Sequence, residues 1–306
     1  MVGWAMQAST RGMLAPQRAL VWAIVAVLVG ALSGCSTATG SSTPSAHAAS
    51  AFRHYVALGD SFTAAPLVPV TDVANGCFRS SANYPALVAQ ALRTKLDDRS
   101  CGGATTDDFT RSQYPGVPPQ FSALNAETDL VTLSIGGNDQ RVFARLVGRC
   151  PALRSQDPGG SPCRRSMGAR GRDALLTAIR TARPRIVAAV KDVERRAPNA
   201  RLLVVGYPQI AAADHACAAL PLATGDYAYA VQVNQALTET MRRAAQATGA
   251  TYVDVWRASG GHDICSADPW VNGAVTDQKR AARYHPFAEE QRAVAKLVLA
   301  ALRPGA

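Results

Sequence analysis

The sequence predicts an α/β domain built on a parallel sheet with helices on both faces. Three observations carry this reading. Short β-rich runs, "HYVALG", "DLVTLSIGG", "ARLLVVGYP" and "ATYVDVW", are bounded by Gly, Pro or Asp. Longer stretches with Ala/Leu/Val spacing suited to helices separate them, and strands that alternate with helices pair in parallel. No Pro/Gly/Ser-rich linker and no internal repeat interrupts residues 52–306, so these form one domain.

The elements before that domain read as a leader and a tether. Residues 1–34 contain Arg11, Arg18, no acidic residue, and an apolar run from Ala19 to Leu32 that ends in small residues. This is a secretory signal pattern, and its apolar run is short for a bilayer-spanning helix. It stops at "LSGC", which resembles a bacterial lipobox. In that reading Cys35 is diacylated and becomes the new N-terminus, and two acyl chains hold a protein stably on a membrane. The protein is then exported and anchored on the outer face of the bacterial cell membrane, or secreted if cleavage nearby leaves Cys35 as a spare thiol. Residues 35–51 are small, polar and free of aromatics, as in a flexible tether.

Within the domain, the strand "HYVALG" leads into "GDSFTAAP". Gly, Asp and Ser are ordinary turn formers. Here they also deliver Ser61 beyond the carboxyl end of a strand, where parallel sheets bind ligands. A helix is predicted from Tyr84 to Leu96. The second strand, "DLVTLSIGG", ends in "GGND". Further helices are predicted over Ala174 to Arg196 and Asp226 to Thr248, the latter stopped by Gly249. A final helix follows Pro286 through "FAEEQRAVAKLVLAAL", with proline at its first turn and acids early.

Charge and cysteines narrow the setting. The chain carries 32 Lys and Arg against 22 Asp and Glu, a formal +10, of which Arg11 and Arg18 in the leader supply two. An exported protein has little use for nucleic acid, so a basic surface facing anionic lipid or cell-wall polymer fits better. Much of the excess lies between Arg141 and Arg172, where eight arginines face the single acid Asp157. With "DPGGSP" and two cysteines, that stretch reads as a solvated surface insertion. Beyond Cys35 there are six cysteines: Cys77, Cys101, Cys150, Cys163, Cys217 and Cys265. An even number in an exported chain suggests three disulfides, with many connectivities open. Each adjacent pair brackets a loop-like stretch, which favours 77 with 101, 150 with 163 and 217 with 265. No CxxC spacing occurs, so zinc is a poor alternative. No metal or organic cofactor is implied.

A hydrolytic serine needs a base and oxyanion donors. Five histidines are available: His47, His54, His215, His262 and His285. His47 lies in the tether and His54 begins the strand that carries Ser61, too early to reach the rim. His215 and His262 lie in loops near cysteines. His285, in "RYHPFAEEQ", sits at a loop-to-helix junction that can place it over the sheet rim. Donors could come from the Ser61 N–H, from a glycine in "SCGGATTDD" and from Asn138 in "GGND", since glycine permits close backbone approach and Asn offers a neutral two-donor amide. Each of these also has a plain reading: a "GG" turn, or Asn138 and Asp139 capping a helix.

Taken together the chain resembles the GDSL or SGNH hydrolases, a serine esterase and lipase family. "GDSFTAAP" resembles the nucleophile block, "CGGATT" the glycine block, "GGND" the Gly-x-Asn-Asp block and "HPFAEEQ" the histidine block, in the family's order over residues 59 to 286. The resemblance implies Ser61 as nucleophile, His285 as base, and an oxyanion hole from Ser61, Gly103 and Asn138. It implies a flavodoxin-like three-layer α/β/α sandwich. It is nearest to the secreted actinobacterial branch with three sequential disulfides, which supports the pairing above. A GxSxG elbow is absent from the sequence, so the α/β-hydrolase alternative fails. Asp60 and Asp139 read as braces for the loops that carry Ser61 and Asn138 rather than as an acid pair.

One position departs from the family pattern. Most members have Asp three residues before the histidine, where this chain has Ala282. The expectation is a Ser-His dyad in which the backbone carbonyl of Ala282 orients the imidazole, with Asp268 and Asp277 as alternative acids. The expected function is hydrolysis of carboxylic esters, with acyl lipids, phospholipids included, as substrates, by a monomer attached to the membrane through its lipidated N-terminus. Two rivals are a carbohydrate O-deacetylase on cell-wall polysaccharide and a non-catalytic envelope-binding lipoprotein.

Overall fold

Side chains alternate between the two faces of a strand, so a strand buried on both sides must be apolar almost throughout. The computed structural model describes residues 52–169 and 171–303; the leader, Cys35, the tether and His47 lie outside them. Three of its sheet strands follow that rule: β1 (His54–Gly59), β3 (Leu130–Ser134) and β4 (Arg201–Val205), while β5 (Thr251–Val253) is an edge strand in which only Val253 is buried. The fifth, β2 (Lys95–Asp98), reads Lys-Leu-Asp-Asp. The sheet order is β2-β1-β3-β4-β5 and every neighbouring pair is parallel.

Four long helices cover the sheet: α1 (Tyr84–Leu92), α2 (Ala174–Arg196), α3 (Tyr227–Thr248) and α4 (Ala288–Ala301). Val56, Leu58, Val131, Leu133 and Val204 pack with residues of α2 and α3, including Ile186 and Leu237. Tyr55, Ala57, Leu130, Leu203 and Val205 pack on the other face with Val88 of α1 and Val294 and Val298 of α4. These are the three layers of an α/β/α sandwich in flavodoxin-like strand order. Each of the valines, leucines and Ile186 among them, fully buried, contributes roughly 1.5–3 kcal/mol.

The strand order reverses at β1, which lies between β2 and β3. In sheets of this kind the crevice beyond the carboxyl ends at the reversal is where ligands bind. Two backbone bonds hold the three ends together past the strands proper: Cys101 N–H donates to the Gly59 carbonyl at 3.0 Å, and Asp60 N–H to the Ser134 carbonyl at 3.2 Å. The loops carrying Ser61, Gly103 and Asn138 therefore start from adjacent points.

Several local expectations change. The helix predicted to Leu96 ends at Leu92, where Arg93 adopts a left-handed conformation (φ 52°), and Leu96 belongs to β2. An edge strand with one face only partly covered can be polar, so β2 gave no β-rich signal. Helix α4 starts at Ala288 with Phe287 as its N-cap; Pro286 precedes the helix rather than filling its first turn. The arginine-rich stretch is not a plain solvated loop. It winds through a π-helical segment Ala144–Arg149, short helices Cys150–Leu153 and Pro162–Met167, and buries Val142, Leu146 and Cys150. Those three recur every fourth residue, a helical stripe beneath the charges.

The disulfides are Cys77–Cys101, Cys150–Cys163 and Cys217–Cys265. The first ties the loop before α1 to the loop after β2, the second closes the arginine-rich segment, and the third joins the loops that follow β4 and β5.

Candidate active site

Strand β1 leaves the sheet through Gly59, where a Cβ would lie 2.3 Å from Thr63 Oγ1 and 2.8 Å from the Ser134 carbonyl oxygen. Only glycine lets the turn pack this tightly. The buried Gln120 amide accepts from Gly59 N–H at 2.8 Å and donates to its carbonyl at 2.9 Å. Asp60 then caps the helical turn Ser61–Ala64, accepting from Phe62 N–H at 2.9 Å. Its other oxygen accepts from the Tyr207 hydroxyl at 2.5 Å, and the same hydroxyl accepts from Gly137 N–H at 3.0 Å. One buried tyrosine thus links the Ser61 turn to the loop that carries Asn138. Burial pushes the Asp60 carboxyl up to about 7, against the hydrogen bonds from Tyr207 and Phe62. On the opposite side, Gln291 of α4 donates to the Phe62 carbonyl at 3.0 Å and accepts from Tyr84 N–H at 2.7 Å.

Around Ser61 three N–H groups point to one chemistry. The backbone N–H of buried Ser61 and that of Gly103 donate to no acceptor among the described residues. Gly103 has φ +78°, the left-handed region that favours glycine. The Asn138 amide donates one N–H to the Ala104 carbonyl at 3.0 Å, which fixes its plane and leaves the second N–H free. Asp139 braces the same region: it accepts from Thr106 N–H at 3.1 Å and from the Thr106 hydroxyl at 2.5 Å. Both acids beside the predicted site are thus taken up by loop contacts.

His285 brings a correction. Its Nδ1 pairs with the carbonyl of Arg283 at 2.7 Å, not with that of Ala282. The Ala282 carbonyl is already occupied, accepting from His285 N–H and from the Asn272 amide, each at 3.2 Å. Tyr284 sits in a left-handed conformation (φ 58°), and the resulting turn leaves the Arg283 carbonyl beside the ring. Neither alternative acid reaches His285. Asp268 lies against His262, and Asp277 accepts from Lys279 N–H within its own turn. With Nδ1–H donating to a carbonyl, Nε2 keeps its lone pair, as a proton acceptor requires. Burial holds the imidazole below its ordinary value, outweighing the Arg283 carbonyl, which favours the cation.

The other histidines lie elsewhere: His54 in β1, His215 between Asp214 and Asp263, and His262 stacked on Trp270.

Ser61 and His285 share the walls of two adjoining cavities. The larger, about 600 Å³, also has Asn138, Phe143, Val147, Ile210 and Ile264 in its walls. The smaller, about 450 Å³, has Leu67, Phe78, Gly103 and Tyr114. No hydrogen bond joins the Ser61 hydroxyl to the His285 ring; catalytic contacts of this type often tighten only around substrate. Gln120, Tyr207 and Gln291, which hold the Ser61 turn in place, carried no signal in the sequence beyond the last residue of "HPFAEEQ".

Comparison with known proteins gives the arrangement a context. Residues 57–293 match the GDSL-like Lipase/Acylhydrolase family. Lipase 2 of Streptomyces coelicolor is 45% identical over 239 residues, covering 75% of this chain and 80% of that protein. Among solved structures, phospholipase A1 from Streptomyces albidoflavus NA297 superposes with a TM-score of 0.66 at 28% identity, covering 82% of this chain and 99% of that one. The extracellular lipase from Streptomyces rimosus gives 0.63 at 29%, covering 81% and 99%. The chain belongs to the GDSL-like lipase/acylhydrolase family and is a carboxylic ester hydrolase.

Proposed function

We propose that this protein hydrolyses acyl lipids, phospholipids included, through a Ser61-His285 dyad at the bacterial cell envelope. The observation that carries the reading is that Ser61 and His285 line both of two adjoining, largely apolar cavities, one also walled by Gly103 and the other by Asn138, with the N–H groups of Ser61, Gly103 and Asn138 free. His285 Nε2 removes the Ser61 hydroxyl proton as the oxygen attacks the ester carbonyl. The oxyanion is held by the Ser61 and Gly103 backbone N–H groups and by the second N–H of Asn138, which need no reorganisation as the charge develops. His285 passes its proton to the leaving alcohol. Water, deprotonated by the same nitrogen, then releases the acid from the acyl-enzyme. The Arg283 carbonyl holds the ring in the required tautomer without supplying a full negative charge.

Phe143, Val147, Ile210 and Ile264 suit an acyl chain better than a sugar. The similarity to a phospholipase A1 and to Streptomyces lipases supports the same class. Three disulfides favour an oxidising, extracytoplasmic setting. Cys35 is the proposed lipid attachment. Profiling kcat/KM across acyl lengths and acetylated sugars tests the substrate class: a preference for acetylated sugars over every longer acyl ester would refute it. Covalent labelling by a fluorophosphonate at Ser61 tests the nucleophile. For the anchor, Cys35→Ser should shift the protein out of the detergent phase in phase separation, and unchanged partition would refute it.

A further inference from the structure

The exposed large hydrophobic side chains of the described residues are Val70, Val73, Phe78, Tyr114 and Val275. A random scatter of five would need no explanation. These five instead fall on the three loops that wall the smaller cavity. Phe78 and Tyr114 are part of its wall, Val275 precedes Thr276, which lines both cavities, and Val70 and Val73 lie between Leu67 and Gly76, which line it too. Val73 opens the turn that carries Gly76: its carbonyl accepts from Gly76 N–H at 3.5 Å, and a Cβ at Gly76 would meet the Tyr114 ring at 3.4 Å. Val70 and Val275 are 75% and 80% exposed, so their cost in water is nearly that of free side chains.

The larger cavity has a rim of the opposite character. Ala144, Val147 and Gly148 line it from the π-helical segment, while Val142, Leu146 and Cys150 of the same stretch are buried in the core. Arg145 and Arg149 of the π-helical segment follow the cavity-lining Ala144 and Gly148 in sequence, and exposed Arg141 lies just before the segment in a left-handed conformation (φ 60°). None of the three arginines pairs with a carboxylate among the described residues, whereas Arg165 of the same segment pairs with Asp157. Exposed apolar side chains thus sit on the loops of the smaller cavity, and unpaired arginines on and just before the segment that lines the larger one.

We infer that this rim is the docking face for an anionic phospholipid surface, with Val70, Val73 and Val275 entering the headgroup/acyl boundary and Arg141, Arg145 and Arg149 meeting lipid phosphates. Exposed valines distinguish a bilayer from an anionic cell-wall polymer, which offers nothing apolar to bury them. Docking in this orientation sets the mouths of both cavities against the lipid, so an acyl ester passes to Ser61 without crossing open water. The inference rests on the lipid-ester reading above, but its test separates the two.

Binding is measured with the full chain carrying Cys35→Ser and Ser61→Ala, so that neither acylation nor hydrolysis contributes. Sedimentation with vesicles of phosphatidylcholine plus phosphatidylglycerol is compared with vesicles of phosphatidylcholine alone. The parent is expected to prefer the anionic vesicles. The Arg141→Gln/Arg145→Gln/Arg149→Gln variant should lose about a hundredfold of that affinity, from roughly one charge-lipid contribution per arginine. The Val70→Ser/Val73→Ser/Val275→Ser variant should lose about tenfold or more on the same vesicles. With Ser61 restored, both variants should hydrolyse a dissolved short-chain ester at the parent's rate and lose activity on vesicles. Equal parent binding to both vesicle types overturns the inference, as does a loss confined to one variant; loss in the arginine variant alone would mark a polyanion site. Absent activity on the dissolved ester in the parent would instead count against the Ser61-His285 assignment.

Discussion

Tyr207→Phe removes one oxygen and strands two partners. In the native protein that oxygen donates to Asp60 at 2.5 Å and accepts from Gly137 N–H at 3.0 Å, and all three residues are buried. A hydrogen bond to a charged group is worth about 1.5–3 kcal/mol and a neutral one about 0.5–1.5 kcal/mol, so the variant should be destabilised by about 2–4.5 kcal/mol. The loss should also depend on pH. A carboxyl whose pKa rises on folding holds its proton more tightly in the native state. It therefore favours folding below its unfolded value of 3.8 and opposes it increasingly as pH climbs to about 7. Without the tyrosine donor the native Asp60 value moves higher still, so the decline should continue past pH 7. Urea unfolding of both proteins from pH 4 to 9 measures this directly. Because Tyr207 also joins the Ser61 turn to the Asn138 loop, kcat on a short-chain ester should fall as well, with stability assayed separately. A stability loss below about 0.5 kcal/mol at neutral pH, or parallel pH curves, would refute the argument.

Replacing Ser61 or His285 by Ala should each remove nearly all hydrolysis, and the double variant should be no worse, since the two act as a unit. Asn138→Ala should cost about 10²–10³ in kcat, the effect of one oxyanion donor, measured on a short-chain ester. Asp268→Asn and Asp277→Asn should keep most activity. A true triad acid changed to its amide costs about 10⁴, so a loss of that size in either would restore the triad. Because burial lowers the His285 pKa, the base stays neutral to lower pH than usual. The acid limb of the kcat/KM profile should therefore have its midpoint below 6.5, the ordinary histidine value; a midpoint above it would contradict the assignment of His285 as base.

Much of the candidate site was legible because its parts are short and local. Ser61, Gly103, Asn138 and His285 each lie in a block of a few residues, where Gly, Asp and Asn leave their own turn signals. The apolar strands β1, β3 and β4 were legible for the same reason: burial on both faces demands a continuous β-rich run; β5, at the far edge, was legible from its Thr-Tyr-Val composition. Gly249 ends α3 in the left-handed conformation its position suggested (φ 81°).

What tertiary structure decided was everything that depends on partners far apart in the chain. Gln120, Tyr207 and Gln291 reach the Ser61 turn across 61, 147 and 229 residues, and a single polar side chain carries no local pattern to announce it. Strand β2 is an edge strand, so neither its composition nor its alternation had to be apolar. The choice of the Arg283 carbonyl over that of Ala282 turns on one peptide plane, set by the positive φ of Tyr284 and by Asn272 occupying the rival oxygen. Reading the sequence alone marked out the candidate residues for the chemistry and the order in which the chain presents them. Only packing decided which groups hold them, because the orientation of a buried polar group is fixed by whichever distant partner satisfies it.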